Sequence, residues 1–69
     1  MAERLANQLK ERRTELGLTQ AELAELVGVT RKTVNTIENR VFVPSTLLAL
    51  KLARALKMPV EELFSISDG

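Results

Sequence analysis

Apolar residues recur at helical spacing in two short segments within residues 19–39, TQAELAELVGVTRKTVNTIEN. Each segment places its apolar side chains on one face of a helix, as expected for a helix that packs against a core. These faces are formed by Leu23, Ala24 and Val27 in the first segment and by Val34 and Ile37 in the second. Gly28, between the segments, can adopt the positive φ that lets a chain leave a helix. The pattern predicts two amphipathic helices joined by a tight turn.

The start of each of these helices is marked by a capping residue. Thr19 precedes Glu22 by three residues, which is the spacing of a capping box, and Thr30 offers a second capping hydroxyl. Leu18 and Val29 stand before the two threonines, where an apolar residue can staple the entry to a helix. Capping and apolar spacing therefore predict the same two helix starts.

The segment before this region predicts a first helix from about Ala2 to Leu16, with Leu5, Leu9 and Leu16 facing inward. Gly17 would end it in left-handed geometry. Arg12 lies on the same inward stripe. It either lays its methylene stem over the core with its guanidinium group in water, or pairs with an acidic residue that the sequence does not identify. We expect the first of these.

The segment after this region predicts two more helices and no strand. A fourth helix begins near Ser45, a capping residue, and a short fifth helix runs from about Val60 to Phe64. The inward stripe of the fourth helix consists of Leu48, Ala49, Leu52, Ala53 and Leu56. The predicted fold class is therefore all-α: one domain over residues 1–69, built as a compact bundle of five short helices with a helix-turn-helix.

The composition excludes several classes of function. The chain has no cysteine and no histidine, so disulfides, thiolate metal sites and imidazole catalysis are absent. No glycine-rich phosphate loop or nucleophile-base pairing is recognisable, so we predict no enzyme, no catalytic or metal site, no cofactor and no small-molecule ligand. No run approaches the roughly 20 apolar residues of a membrane span, and the amino end is charged, so the expected location is cytoplasmic.

The net charge of +1 is unevenly distributed along the chain. Residues 1–30 carry four basic and five acidic groups, residues 31–57 carry six and one, and residues 58–69 carry none and three. Positive charge therefore begins at the third helix and continues through the fourth. A local basic patch, more than the total charge, is the electrostatic signature of a protein that binds nucleic acid.

The outer face of the third helix has hydrogen-bonding groups and no acid. Lys32, Asn35, Thr36 and Asn39 project opposite the apolar stripe, with Arg31 and Thr33 on its flanks. These residue types suit the major groove of DNA, because Arg and Lys donate to guanine, Asn pairs with adenine, and Thr offers a hydroxyl and a methyl group. Any helix shows polar residues to water, but the two-helix motif around this face favours DNA.

The region from about Leu9 to Phe64 resembles the lambda-repressor-like helix-turn-helix family, in particular the small Xre/Cro-type regulators. The segments that carry the resemblance are GLTQAELAELVGVTRKTVNTIEN and PSTLLALKLARALKMPVEELF. In that family a five-helix domain places its third helix in the major groove of an operator. The resemblance implies a sequence-specific transcription regulator that represses by occupying its operator.

The resemblance also implies roles for single residues. Arg31, Lys32, Thr33, Asn35 and Thr36 would face bases, Gln20 would bind phosphate, and Asn39 and the loop through Phe42 would lie along the DNA backbone. As a cation in that loop, Arg40 could also reach a phosphate. Arg13 would form an ion pair with Glu38 at the end of the third helix. Two positions depart from the family pattern, since Arg40 and Lys57 stand where glycine is frequent. Left-handed geometry there would cost a non-glycine residue roughly 1 kcal/mol, and the alternative is that each helix ends by another route.

A homodimer on a near-palindromic operator is the expected assembly, because one such domain spans only a few base pairs. The predicted interface consists of apolar residues outside the inward stripes: Leu47, Leu50, Met58, Phe64 and Ile66. Two alternatives keep the same fold. One is an antitoxin that represses its own operon, and the other is a protein-interaction module that has lost DNA binding.

Overall fold

The computed structural model describes residues 3–68 and contains five helices and a two-stranded sheet. In chain order the elements are β1 (Arg4–Asn7), α1 (Leu9–Glu15), α2 (Gln20–Val27), α3 (Arg31–Glu38), α4 (Thr46–Ala55), α5 (Val60–Leu63) and β2 (Phe64–Ser67). The predicted five helices are present. The prediction of an all-α helix-turn-helix fold is confirmed in part, because a small two-stranded sheet that it did not include pairs residues 4–7 with residues 64–67.

The first helix starts later than the sequence pattern predicted. Residues 4–7 form β1, which pairs antiparallel with β2 so that Leu5 lies opposite Ile66. Asn7 fixes the change from strand to helix, because its Oδ1 accepts from the backbone N–H of Leu9 at 3.1 Å and its Nδ2 donates to the Ile37 carbonyl at 3.0 Å. Leu5 still packs against the core, as predicted, but from a strand. The predicted start at Ala2 lies outside the described residues.

The core is made by apolar side chains from all five helices and from the first residue of β2. Its buried members are Leu9, Leu23, Ala24, Val27, Val34, Ile37, Leu52, Ala53, Leu56, Leu63 and Phe64. Leu48 and Ala49, from the predicted stripe of α4, pack against it from partly exposed positions. Leu16 was predicted to face inward, but it lies at the surface as the C-cap residue of α1.

Hydroxyl side chains cap three helices where the sequence predicts caps. Thr19 and Glu22 form a complete capping box at α2, and the Thr30 and Ser45 hydroxyls accept from the third backbone N–H of α3 and α4. The backbone N–H of Thr19 donates to the Glu22 carboxylate, and this hydrogen bond is the main reason that the pKa of Glu22 is lowered. The Thr19 hydroxyl lowers the pKa further. Both helices of the helix-turn-helix therefore start at fixed residues.

Four helices end in the same hydrogen-bonded left-handed turn. The residues with positive φ are Gly17, Gly28, Arg40 and Lys57. At Arg40 the backbone N–H groups of Arg40 and Val41 donate to the carbonyls of Ile37 and Thr36, which is the Schellman pattern. The departures from glycine at Arg40 and Lys57 thus do adopt left-handed geometry, with φ of 61° and 55°.

Arg12 makes contacts that neither of the two alternatives from the sequence included. Its Nε donates to the Leu56 carbonyl at 2.8 Å and its Nη2 to the Lys57 carbonyl at 3.3 Å, while Nη1 lies 3.5 Å from Glu15. The guanidinium group therefore caps the carboxyl end of α4, where unpaired carbonyls and the helix dipole favour a cation. This contact stabilises the strained turn at Lys57 and ties α1 to α4.

Candidate nucleic-acid interface

The outward face of α3 presents its amino-terminal cations to solvent. Arg31 and Lys32 are exposed, and within residues 3–68 neither side chain makes a hydrogen bond or ion pair. Together with Gln20 and Asn35 they line a shallow groove between α2 and α3. Both side chains can thus extend toward a ligand without breaking a contact.

A buried ion pair fixes the carboxyl end of α3 to α1. Arg13 Nε donates to Glu38 Oε2 at 2.7 Å and Nη2 donates to Oε1 at 3.3 Å, so the contact is bidentate. Only 10% of the Arg13 side chain and 4% of the Glu38 side chain are exposed. Arg13 Nη1 also donates to the Leu18 carbonyl at 2.8 Å, which holds the loop before α2. The structure thus contains the ion pair that the resemblance implied.

Gln20 extends this network to the outward face. Its Nε2 donates to Glu38 Oε1 at 3.0 Å, and its Oε1 accepts from Asn35 Nδ2 at 3.5 Å. Asn39 Nδ2 donates to Asn35 Oδ1 at 3.1 Å and to the Asn35 carbonyl at 3.0 Å. The sequence predicted these amides as separate DNA contacts and did not predict that they bind one another.

The network leaves hydrogen-bonding capacity for a ligand. An amide group has two N–H donors and an oxygen with two lone pairs. Gln20 and Asn35 each use one donor and one lone pair inside the chain. Each side chain therefore retains one N–H donor and one lone pair, and the internal hydrogen bonds fix the direction in which these groups point.

Thr33 and Thr36, the other predicted base contacts, lie beside the loop that follows α3. Together with Lys32, Val41 and Phe42 they line a shallow surface niche. Arg40 opens this loop, is exposed, and lines another depression with Asn7 and Phe42. The predicted base and phosphate residues thus occupy one continuous part of the surface around α3 and its flanking turns.

The remaining cations of the basic segment lie elsewhere. Lys51, Arg54 and Lys57 line a depression together with Glu25 and Leu26 at the carboxyl end of α2. The sequence pattern joined the positive charge of the third and fourth helices into one stretch. The fold separates it into the α3 surface and this second surface.

The residues predicted for a dimer interface fall into two groups. Leu47, Leu50 and Ile66 are exposed, with Leu47 65% and Ile66 71% accessible. Phe64 is buried in the core of a single chain, and Met58 packs against that core. Phe64 starts β2 and pairs with Asn7, so the unforeseen sheet explains its burial.

Residues 3–68 contain no group of three or more acidic, histidine or cysteine residues placed to hold a metal ion. None of the helices within these residues combines the length and the apolar character that crossing a membrane requires. The two acidic residues of α5, Glu61 and Glu62, are exposed and occupy its first turn. The helix dipole favours negative charge at this end of a helix.

Comparison with known proteins gives the same fold and motif. The family model for the Cro/C1-type helix-turn-helix matches residues 9–63. An uncharacterized HTH-type transcriptional regulator of Bacillus subtilis, YgzD, is 45% identical over 64 residues, covering 93% of this chain and 97% of its own. A second such regulator, from Methanothermobacter thermautotrophicus, is 48% identical over 61 residues, covering 87% of this chain and 88% of its own.

Among solved structures, the restriction-modification controller protein C.AhdI of Aeromonas hydrophila superposes with a TM-score of 0.76 at 40% identity. The superposition covers 80% of this chain and 83% of the controller protein. The family match spans most of the chain, so this protein belongs to the Cro/C1-type helix-turn-helix family of DNA-binding transcriptional regulators. The resemblance noted in the sequence is confirmed.

Proposed function

We propose that this protein regulates transcription by inserting α3 into the major groove of an operator and blocking the promoter there, without enzymatic activity. The observation that carries the proposal is the outward face of α3. Arg31 and Lys32 have no partner within residues 3–68, Asn35 is held in place by neighbouring amides, and no acidic side chain lies on this face. These are groups that read base edges.

Three further residues would position α3 by contacting the phosphate backbone of the DNA. Gln20 retains one N–H donor at the amino end of α2, Asn39 ends α3, and Arg40 follows it in the left-handed turn. Contacts of this kind fix the register of a helix in the groove but carry little sequence information.

Binding to duplex DNA should be specific and sensitive to salt. We expect the protein to select one sequence class from a randomised duplex pool. Its affinity should fall with a log-log salt slope of about −0.9 for each phosphate that it neutralises. Fluorescence anisotropy with a labelled selected duplex at increasing salt measures both quantities. A slope near zero, or retention of no duplex at low salt, would contradict DNA binding and favour a protein-interaction module.

The proposed assembly is a two-fold symmetric homodimer on a near-palindromic operator. Leu47, Leu50 and Ile66 support it, because they are exposed apolar side chains outside the core that a second copy of the chain could cover. The acidic segment after α4 suits an interface that faces away from DNA. Phe64 and Met58 would support this surface from within each chain.

Sedimentation equilibrium at micromolar concentration tests the dimer. Leu47→Glu and Ile66→Glu should shift the chain toward monomer, since each places a charge in an apolar contact. Leu26→Glu is the matched control, because Leu26 is 62% exposed but lies on the separate α2–α4 surface. A native chain that is monomeric and binds its operator one copy at a time would exclude the dimer.

The antitoxin alternative uses the same DNA-binding surface and predicts the same results in these assays. Copurification of a stable partner protein, together with binding to the promoter of its own operon, would favour it.

A further inference from the structure

The surface niche beside α3 is largely apolar. It is lined by Lys32, Thr33, Thr36, Val41 and Phe42. Val41 is 77% exposed and Phe42 is 47% exposed, so the loop after α3 presents two apolar side chains to solvent. Adjacent exposed apolar groups on a functional face indicate a contact surface.

The hydroxyl groups of the two threonines already make hydrogen bonds inside the chain. The Thr36 hydroxyl donates to the Thr33 carbonyl at 2.9 Å. The Thr33 hydroxyl lies 3.1 Å from the Thr30 hydroxyl and shares a hydrogen bond with it. While this bond persists, the Thr36 hydroxyl can accept a hydrogen bond from a base but cannot donate one, and the apolar group that Thr36 adds to the niche is its methyl group.

The loop also lacks free amide donors at this point. The backbone N–H groups of Val41 and Phe42 both donate to the Thr36 carbonyl, at 2.9 and 3.2 Å. Neither amide can serve a phosphate while this turn persists. At Val41 and Phe42 the loop thus offers side chains, and not backbone N–H groups, to DNA.

We propose that the niche receives the C5 methyl group of a thymine, and this inference rests on the proposed insertion of α3 into the major groove. Among the groups that base edges present in that groove, the thymine methyl is the apolar one. Lys32 at the rim, with no acid on this face of α3, complements the negative charge of DNA. Phe42 and Thr36 would then determine specificity by packing.

Removal of the methyl from DNA tests the proposal. The probe is the duplex that the protein itself selects from a randomised pool, with each thymine replaced in turn by deoxyuridine. We expect binding about four-fold weaker at one position in each half-site, the effect of losing one buried methyl group. Other thymine positions should change less.

Protein variants identify the side chains that contact the methyl. Thr36→Ser removes the methyl and keeps the hydroxyl that bonds Thr33, whereas Thr36→Val removes the hydroxyl and keeps the methyl. Thr36→Ser and Phe42→Ala should bind the selected duplex with its thymines (the thymine duplex) more weakly than the native chain does. Replacing the contacted thymine by deoxyuridine should reduce the affinity of these two variants less than that of the native chain. For Thr36→Val the replacement should reduce affinity as much as it does for the native chain. Circular dichroism melting verifies that each variant is folded.

Two results would overturn the proposal: binding that is unchanged by deoxyuridine at every position, or a Phe42→Ala variant that keeps the full response. In both cases specific binding to the thymine duplex would leave the proposed function intact. If no duplex is retained at all, the proposed function fails and the thymine contact fails with it.

Discussion

Glu38→Ala is expected to destabilise the protein by up to about 3–5 kcal/mol, the usual cost of removing one partner from a buried ion pair. The Glu38 side chain is 4% exposed and accepts from both Arg13 and Gln20. Without the carboxylate, the Arg13 guanidinium group is left buried with one carbonyl partner. In a domain this small, each kcal/mol corresponds to roughly 4–8 °C in melting temperature, so the loss is measurable by calorimetry.

Glu15→Ala is the matched control for the loss of a charge. Glu15 also pairs with an arginine of α1, but its side chain is 65% exposed and the contact is 3.5 Å long. Exposed pairs of this kind contribute about 0–1 kcal/mol. The comparison therefore separates burial from charge.

A double-mutant cycle measures the pair itself. Arg13→Met and Glu38→Leu should each destabilise the protein. The double variant should lose less stability than the sum of the two single losses, because it leaves no unpaired buried charge. Two single variants that are near neutral, or additive effects in the cycle, would show that the contact contributes little to stability.

The helix-turn-helix could be predicted from the sequence because its signals are local. Thr19, Glu22 and Thr30 cap the two helices through bonds that span three residues, and Gly28 ends α2 where predicted. Such contacts depend on residues only a few positions apart along the chain. The rest of the molecule has little influence on them.

The two-stranded sheet could not be predicted because its signal is nonlocal. Residues 4–7 fit a helical pattern, and they form a strand because β2, about sixty residues later, offers a pairing edge. Asn7 adds a second distant contact through the Ile37 carbonyl. Four-residue strands have too few side chains to show a period of their own.

At the candidate site, the outward position of side chains could be predicted from the sequence, but the hydrogen bonds between them could not. Helical projection indicated that Asn35 and Asn39 lie outward, and both are exposed. Projection treats each side chain separately, so it could not show that Gln20 joins Asn35 to the buried ion pair. The resemblance supplied Arg13 and Glu38, which apolar periodicity alone would not reveal.

Base recognition should depend most on the cations and the amide at the outward face of α3. Arg31→Ala, Lys32→Ala and Asn35→Ala are each expected to cost roughly 1–3 kcal/mol on the preferred duplex and to relax specificity at one base pair. Asn35 is already oriented by Gln20 and Asn39, so little side-chain entropy is lost when it binds a base.

Arg31→Lys distinguishes base recognition from charge. Lysine keeps the positive charge but lacks the planar fork that donates two hydrogen bonds to guanine. We therefore expect this variant to weaken the preference at the one base pair that Arg31 reads, while its salt slope stays near the native value. Arg40→Ala should do the opposite, weakening all duplexes about equally and reducing the slope by about one. Competition binding with single-position variants of the selected duplex measures both effects. A change of base preference in Arg40→Ala, with none in either Arg31 variant, would reverse the assignment of the two arginines.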